Sequence, residues 1–322
     1  MNVQHANAVR AAQHHDMPEN GLVALTYNLS WAVAKNQKSG SELHFVTDMC
    51  FDKEIGFCRK NAMQSLQKME NRPHIIAFQE YMPWDRKMLA RLNERDGVFV
   101  ETVPLDCTHI VAPDTELGTI MAKGANVVGY IAGIQSDRFF ASLCTCWDTK
   151  KLGAMKQHRC LELSDGTDLR PCYIALTGLG YLLINMQAPQ PDTKSLLDCM
   201  LIVNTSCEQM LSNQERANVR AIVLLGDFND GGNLFSTNFV KLIGKSLLPP
   251  KNLKTCCYDP VHGMDKEKKY QFAGDYVMST LQNYEATSRV LFDGSLSTED
   301  ATAPSQNEGR SDHDPVVAFF KP

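Results

Sequence analysis

Several features that would assign a chain at once to a large class of proteins are missing from this sequence. No apolar run approaches the ~20 residues that a membrane-spanning helix needs. Residues 1–20 are polar where a signal peptide needs its apolar segment, so we expect an intracellular protein without a signal peptide. The 11 cysteines include no Cys-x-x-Cys pair. Their pattern argues against a zinc site and favours reduced, mostly buried thiols over disulfides.

The chain also lacks an excess of positive charge. With 32 Lys+Arg against 37 Asp+Glu, the formal net charge is −5. No overall basic field therefore attracts nucleic acid or an anionic membrane. Binding of a polyanion would depend on a local basic patch or on divalent metal ions held by acidic residues.

Neither an internal repeat nor a low-complexity linker divides the 322 residues. Residues 1–20 show no periodicity and are predicted to form a flexible arm, and residues 21–322 are predicted to form a single domain. Apolar runs predict buried strands, listed here with their ranges: 21–28, 74–78, 118–121, 127–134, 139–147, 171–175, 181–186, 221–227, 274–279 and 315–320.

Apolar residues at helical spacing predict helices over 58–70, 84–93 and 193–212. The stretches 148–156 and 283–310 have the composition of loops. The mixed order of strands and helices, with hairpins, predicts two sheets packed face to face with helices outside, an α/β sandwich.

The stretch 221–230, Ala-Ile-Val-Leu-Leu-Gly-Asp-Phe-Asn-Asp, is the part of the chain around which the other motifs are organised. In an extended chain, Asp227 and Asn229 point to the same side, so a rigid strand would deliver a carboxylate and an amide to one sheet edge. An Asx-type turn that ends the strand is the alternative interpretation.

Polar residues also follow other predicted buried strands, and together they form a set of candidate site residues: Asn28, Glu80, Gln187, Asp227, Asn229, Asp275, Asp312 and His313. A buried carboxylate such as Glu80 needs a partner, either a Lys or Arg or a metal ion. Oxygen-rich sets suit Mg²⁺ or Mn²⁺, and a histidine beside a carboxylate can move a proton near neutral pH. These groups suit phosphoryl transfer to water.

The motifs occur in an order that resembles the endonuclease/exonuclease/phosphatase (DNase I-like) superfamily: Thr-Tyr-Asn28, Phe-Gln79-Glu80, Gly-Asp227-Phe-Asn229, Gly-Asp275-Tyr-Val and Ser311-Asp312-His313-Asp-Pro-Val. The resemblance runs from about residue 21 to the C-terminus. It implies a four-layered α/β sandwich. The pattern Asn28-Leu-Ser-Trp31, followed by Cys50 and Cys58-x-x-Asn61, is similar to a poorly characterised group of protist and large-virus members.

The resemblance implies a metal site with Glu80 as its main ligand, assisted by Asn28 and Asp312. It also implies that Asp227 orients or deprotonates the attacking water. His313 would stabilise the pentacovalent phosphate or protonate the leaving group.

Two further roles follow from the resemblance. Asn229 would hold the attacking water or a phosphate oxygen. Asp275 would pair with His313 and fix its tautomer.

One position departs from the pattern of many members. They carry Asn-x-His where this chain reads Asn185-Met186-Gln187. Gln187 can donate a hydrogen bond to a phosphate oxygen but cannot carry a proton. The abasic-site endonuclease branch also lacks this histidine, so its loss argues against a two-histidine mechanism of the sphingomyelinase or DNase I kind without excluding catalysis.

We therefore expect a Mg²⁺-dependent phosphodiesterase, foremost a nuclease. One alternative is a phosphatase or phosphodiesterase acting on a small nucleotide, an inositol phosphate or a phospholipid head group. The other is a catalytically silent binding protein of the same fold. In that case the glutamine at position 187 would mark the first catalytic residue to be lost.

Overall fold

The computed structural model describes residues 21–29, 57–81, 103–109, 116–135, 140–164, 169–189, 193–230, 235, 240–250, 253, 255, 274–281, 284–290, 293–297, 311 and 313–320. The arm predicted over residues 1–20 and the helix predicted over 84–93 lie outside these residues. None of the helices within them has the length and apolarity to cross a membrane.

Strands form about half of the described structure. In chain order they are β1 (Leu22–Asn28), β2 (Ile75–Gln79), β3 (Val103–His109), β4 (Val127–Gln135), β5 (Phe140–Asp148), β6 (Met155–Ser164), β7 (Leu169–Thr177), β8 (Tyr181–Gln187), β9 (Ala221–Asp227), β10 (Lys241–Leu242), β11 (Lys245–Ser246), β12 (Asp275–Ser279), β13 (Tyr284–Val290), β14 (Leu296–Ser297) and β15 (Val316–Phe320). The helices are α1 (Phe57–Gln67), α2 (Glu116–Ile120), α3 (Thr149–Leu152), α4 (Thr193–Met210) and α5 (Asn213–Asn218).

These strands make two large sheets and a small hairpin. The first sheet has eight strands in the order β14-β13-β15-β1-β2-β5-β4-β3, and the second has five in the order β12-β9-β8-β7-β6. Strands β10 and β11 pair separately. Two pairs, β1–β2 and β8–β9, are parallel, and the other pairs within the two large sheets are antiparallel. Each large sheet thus has one parallel pair near its middle, and both pairs contribute to the candidate site.

The apolar side chains of β9 show why the chain folds into four layers. Alternate residues of a strand point to opposite faces. Ile222 and Leu224 join a cluster with the inner face of α4, whereas Val223 and Leu225 join the cluster between the two sheets. A third cluster packs α1 and α2 on the outer face of the eight-stranded sheet. The order helix, sheet, sheet, helix confirms the predicted four-layered α/β sandwich.

Two secondary-structure predictions are wrong. Residues 118–121, predicted as a strand, lie in or just after helix α2, where Leu117, Ile120 and Met121 are buried at helical spacing. Part of the predicted loop 283–310 forms β13 and β14. In β13, polar residues such as Thr287 and Ser288 are buried by pairing with β15, and composition alone does not reveal such pairing.

The predicted loop 148–156 is also partly wrong, because it contains α3 and the start of edge strand β6. The cysteine prediction holds at five described positions, where the thiols are buried and not in disulfides: Cys144, Cys146, Cys172, Cys199 and Cys207. It is wrong at Cys160, which is disulfide-bonded. Cys160 lies half-buried on edge strand β6, a position that no sequence spacing indicates.

Replacing Tyr173 by phenylalanine is expected to stabilise the protein by about 1 kcal/mol. The Tyr173 hydroxyl is buried between the sheets and finds no hydrogen-bond partner in the part of the chain that the structure describes, and burial raises the pKa of this hydroxyl well above its usual range. Its ring stacks on Tyr130, a contact that phenylalanine keeps. Denaturant unfolding measures the change. A less stable variant would contradict the assignment of an unpaired hydroxyl.

Candidate active site

The two parallel strand pairs end at the same edge of the sandwich and carry the predicted site residues there. In the first sheet Asn28 is the last residue of β1, opposite Gln79 of β2, and Glu80 follows Gln79. In the second sheet Gln187 of β8 lies opposite Asp227 of β9. The two sheets therefore present these side chains to one another across the edge.

Side-chain hydrogen bonds connect the two sheets at this edge. The Asn28 amide Nδ2 donates to Asp227 Oδ2 at 2.9 Å and to Glu80 Oε1 at 3.4 Å. The Gln187 amide Nε2 donates to the same Glu80 oxygen at 2.8 Å. The neutral amide of Asn28 thus bridges the carboxylates of Glu80 and Asp227, and the amide of Gln187 adds a second contact to Glu80.

Strand β12 adds Asp275, which is paired in register with Asp227. The His313 Nδ1 lies 2.8 Å from Asp275 Oδ2, and both side chains are buried. The carboxylate holds the imidazole with Nδ1 toward itself, so Nε2 points away from Asp275. Asp227, Asp275 and His313 each place a ligand atom within 4.8 Å of the others. The predicted Asp275–His313 pair is therefore formed.

The environment of Asp227 shifts its protonation into the neutral range. Burial raises the pKa of the Asp227 carboxyl from 3.8 to about 6, and the nearby Asp275 contributes to the rise. His313 and the hydrogen bonds from Asn229 and Asn28 act in the opposite direction. A carboxylate with this pKa gains a proton more readily than an exposed one, which suits a general base.

Asn229 lies beside Asp227, but the reason differs from the prediction. The chain does not stay extended after β9, because Asn229 has a φ of 48° and its backbone N–H donates to Asp227 Oδ1 at 3.0 Å. The Asn229 amide Nδ2 donates to the Ala188 carbonyl at 2.8 Å. The Asx-type turn is thus present, and it is the turn that brings Asn229 to the site.

Glu80 also has a left-handed backbone, with a φ of 52°. Such a conformation is costly for a residue other than glycine and often occurs at functional sites. Of the predicted site residues, Asp312 lies outside the described residues. The other seven lie at this edge of the sandwich.

Two residues to which the sequence assigned no role support the Asp275–His313 pair. The Thr255 hydroxyl accepts hydrogen bonds from the backbone N–H groups of Gly274 and Asp275, and its carbonyl accepts one from Asp314. Ser311 Oγ donates to the Asn28 carbonyl at 2.7 Å and accepts from the His313 N–H. Ser311 was part of a motif, whereas no sequence signal distinguishes Thr255 from its polar neighbours.

A third residue without a predicted role, Asp230, anchors the segment after the turn. This buried carboxylate accepts from the Phe235 N–H at 3.0 Å and from the Tyr276 hydroxyl at 3.2 Å. Phe228, Phe235 and Tyr276 pack their rings against one another. The segment that holds Asn229 is therefore fixed by packing.

The donor set fits a hard divalent cation. Two buried oxygens at this edge, Gln187 Oε1 and Asp275 Oδ1, have no hydrogen-bond partner among the described residues. An unpaired buried acceptor is unfavourable unless a water or a cation binds it. The closely spaced cluster of Asp227, Asp275 and His313 differs from the predicted ligands, and Asn28 connects that cluster to Glu80. Oxygen atoms dominate both sets, as Mg²⁺ and Mn²⁺ prefer.

Fold and site together define an α/β sandwich with an oxygen-rich, histidine-containing site at the edge of its two sheets. No protein-family model matches the sequence, and no curated protein sequence matches it. Solved structures do match, among them three with TM-scores below 0.5 and identities of 11% to 14%.

Truncated TDP2 from Caenorhabditis elegans matches with a TM-score of 0.48 and 11% identity, covering 96% of this chain and 100% of that one. TDP2 from D. rerio, complexed with a single-strand DNA product, matches with a TM-score of 0.46 and 11% identity, covering 94% and 99%. An endonuclease/exonuclease/phosphatase family protein from Bacteroides thetaiotaomicron matches with a TM-score of 0.48 and 14% identity, covering 94% and 95%. The superfamily that the motifs resemble is thus represented among the matches, and nothing about the chemistry of this chain follows from them.

Proposed function

We propose that this protein is a metal-dependent phosphodiester hydrolase that acts on nucleic acid, with Mg²⁺ or Mn²⁺ as its cation. One observation carries the proposal. Buried Asp227 is clustered with the Asp275–His313 pair, within hydrogen-bonding reach of an amide that also contacts Glu80. A candidate base, a paired histidine and a second carboxylate are what phosphodiester hydrolysis needs. The choice of nucleic acid follows the resemblance of the motifs to nucleases.

Glu80, with Asn28 and Asp312, would hold the cation, and the unpaired oxygens of Gln187 and Asp275 fit its neighbourhood. When bound, a divalent cation neutralises negative charge on the phosphate oxygens. Gln187 already donates to Glu80. We therefore propose that Gln187 positions this carboxylate, in addition to any contact with phosphate.

Asp227 and His313 move the protons, and Asn229 positions the attacking water. Asp227 removes a proton from a water molecule as the water oxygen attacks phosphorus. As the bond from phosphorus to the leaving oxygen breaks, His313 in its protonated form, oriented by Asp275, gives its Nε2 proton to that oxygen. Asn229, fixed by its bonds to Asp227 and Ala188, keeps the turn in place and offers its amide oxygen to the water.

Hydrolysis of a fluorescent single-stranded oligonucleotide and of a chromogenic phosphodiester, each with Mg²⁺, Mn²⁺ or EDTA, tests the proposal. We expect metal-dependent cleavage of the oligonucleotide that EDTA abolishes and that Asp227→Ala loses. Cleavage that persists in EDTA, or in the Asp227→Ala variant, would contradict the assigned roles. Cleavage of the chromogenic diester alone would favour a small phosphate ester as substrate.

One observation favours the alternative of a silent binding protein. Gln187 stands where many members of the superfamily carry a histidine, and it cannot carry a proton. Binding of Mn²⁺ measured by calorimetry, without hydrolysis of either substrate, would support this alternative. The intact Asp227 and Asp275–His313 cluster favours the enzyme.

A further inference from the structure

A layer of buried polar side chains crosses from one sheet to the other at the base of the candidate active site. Gln79 of β2 and Thr26 of β1 belong to the eight-stranded sheet, as does Thr145 of β5. Asn185 of β8 belongs to the five-stranded sheet. All four side chains are 0% exposed. We call these residues the cross-sheet clasp.

Hydrogen bonds join the members of the cross-sheet clasp. The Gln79 amide Nε2 donates to Asn185 Oδ1 at 2.7 Å, one of the hydrogen bonds that connect the two sheets. Gln79 and Thr26 exchange hydrogen bonds at 3.1 and 3.2 Å. The Asn185 amide Nδ2 donates to Thr145 Oγ1 at 3.0 Å and to the Cys144 and Phe78 carbonyls at 3.2 and 3.3 Å. Both amide groups are therefore satisfied within the protein.

The surroundings make this arrangement unusual on energetic grounds. The inter-sheet cluster that extends away from the site is apolar and includes Ala77, Leu183 and Leu225. Burying a polar network generally gives no more stability than well-packed apolar side chains of similar volume. What a satisfied network adds is a single relative position of the parts that it joins. Two apolar faces could slide past one another, whereas two hydrogen-bonded amides hold one register.

The cross-sheet clasp lies one step along the chain from the site. Glu80 directly follows Gln79, and Gln187 lies two residues after Asn185, on the same face of β8. A second bridge between the sheets, from Gln187 Nε2 to Glu80 Oε1, spans 2.8 Å. The buried bridge and the site bridge therefore join the same two strands. A shift of one sheet against the other would separate Glu80 from both Gln187 and the Asp227 side of the site.

We propose that Gln79 and Asn185 are positioning residues, which hold Glu80 of one sheet at a set distance from Gln187 and Asp227 of the other. The inference rests on the proposed function, because it assigns the cross-sheet clasp to the alignment of a metal site. It predicts that replacing these residues weakens metal binding even in a variant that remains folded. Residues that support metal ligands typically change metal affinity 10- to 100-fold when they are replaced.

The first test replaces both amides by apolar side chains of similar shape, in the double variant Gln79→Met/Asn185→Leu. We expect a folded protein whose Mn²⁺ affinity, measured by calorimetry, is weaker by about 10-fold or more. We expect kcat to fall as well at saturating metal, with KM for the oligonucleotide little changed. Tyr173→Phe is the matched control, because it removes a buried polar group between the same sheets without touching the clasp. Its Mn²⁺ affinity should equal that of the unaltered chain.

A milder pair of variants keeps the test decisive if the double variant does not fold. Thr26→Val removes the hydroxyl that binds Gln79 with little change in shape, and Thr26→Ser retains it. We expect Thr26→Val to weaken Mn²⁺ binding about 3-fold and Thr26→Ser to restore it. Unchanged Mn²⁺ affinity in Thr26→Val, or in a folded double variant, would overturn the proposal and leave the clasp a purely structural feature.

A readout without metal separates failure of this inference from failure of the proposed function. The side-chain amide of Gln187 donates to Glu80, so its exchange with solvent, followed by NMR, reports that contact. If the unaltered chain binds no Mn²⁺, the proposed function fails. Faster exchange of the Gln187 amide in Thr26→Val, reversed in Thr26→Ser, would still support positioning by the clasp, and equal exchange in all three proteins would refute it.

Discussion

Asp227→Asn is expected to lower phosphodiester hydrolysis on the order of 1,000-fold, the contribution typical of a general base. The amide keeps the size of the side chain and an oxygen that can accept the Asn229 N–H, but it cannot take a proton from water. Since Asp227 is the acid whose pKa is raised to about 6, the activity of the unaltered chain should rise as the pH increases through about 6. The rate, measured from pH 5 to 8, tests both expectations.

The same variant should not be less stable at neutral pH. The pKa of Asp227 is 3.8 in an ordinary environment and about 6 in the fold, so the native state favours the protonated acid. Below pH 3.8 the protonated Asp227 carboxyl makes its full contribution to the free energy of unfolding. That contribution is lost as the pH rises through about 6. At pH 7 the unaltered chain therefore carries an unfavourable contribution on the order of 3 kcal/mol, which asparagine removes. Unfolding in EDTA should show an advantage of the variant at pH 7 that shrinks toward pH 4.

Asp198→Asn provides the matched control, because Asp198 lies exposed on α4, away from the site. We expect this variant to keep both activity and stability. Substantial hydrolysis by Asp227→Asn would remove Asp227 from the role of base. A variant that is much less stable at pH 7 would show instead that the carboxylate contributes to the fold.

Gly226→Ala is expected to destabilise the protein by about 3 kcal/mol or more and to abolish metal binding. A Cβ atom at this position would lie 1.9 Å from the Met186 carbonyl oxygen on the neighbouring parallel strand. Because that oxygen belongs to the backbone, strands β8 and β9 must separate to make room. This would break the register in which Gln187 lies opposite Asp227. Denaturant unfolding and Mn²⁺ calorimetry measure the two effects.

Gly124→Ala separates the clash from backbone strain. Gly124 has a φ of 75°, which alanine rarely adopts, but a Cβ there would meet none of the described residues within 4 Å. We expect a cost of about 1 kcal/mol and unaltered metal binding. Equal losses in the two variants would show that the Met186 contact does not limit position 226.

The local pattern of the sequence was sufficient for the central strands and the long helix. The apolar run before Asp227 predicted β9, and the stripe that begins near Leu196 predicted α4. Local patterns succeed here because a strand or helix buried on one or two faces must carry apolar residues at the period of its backbone. For the same reason, the polar residues Asn28, Gln187 and Asp275 at strand ends were recognisable as candidates for one site.

The sequence by itself thus determined the α/β sandwich, its central strands and most of the candidate residues. Only the tertiary structure decided how those residues meet: the turn at Asn229, the support of Asp275 by Thr255, and the bond between Gln79 and Asn185. These contacts join residues from different strands and loops, and the last of them spans 106 positions of the chain. A local pattern records which face of an element is buried, whereas the partner of a buried polar group depends on how separate elements pack.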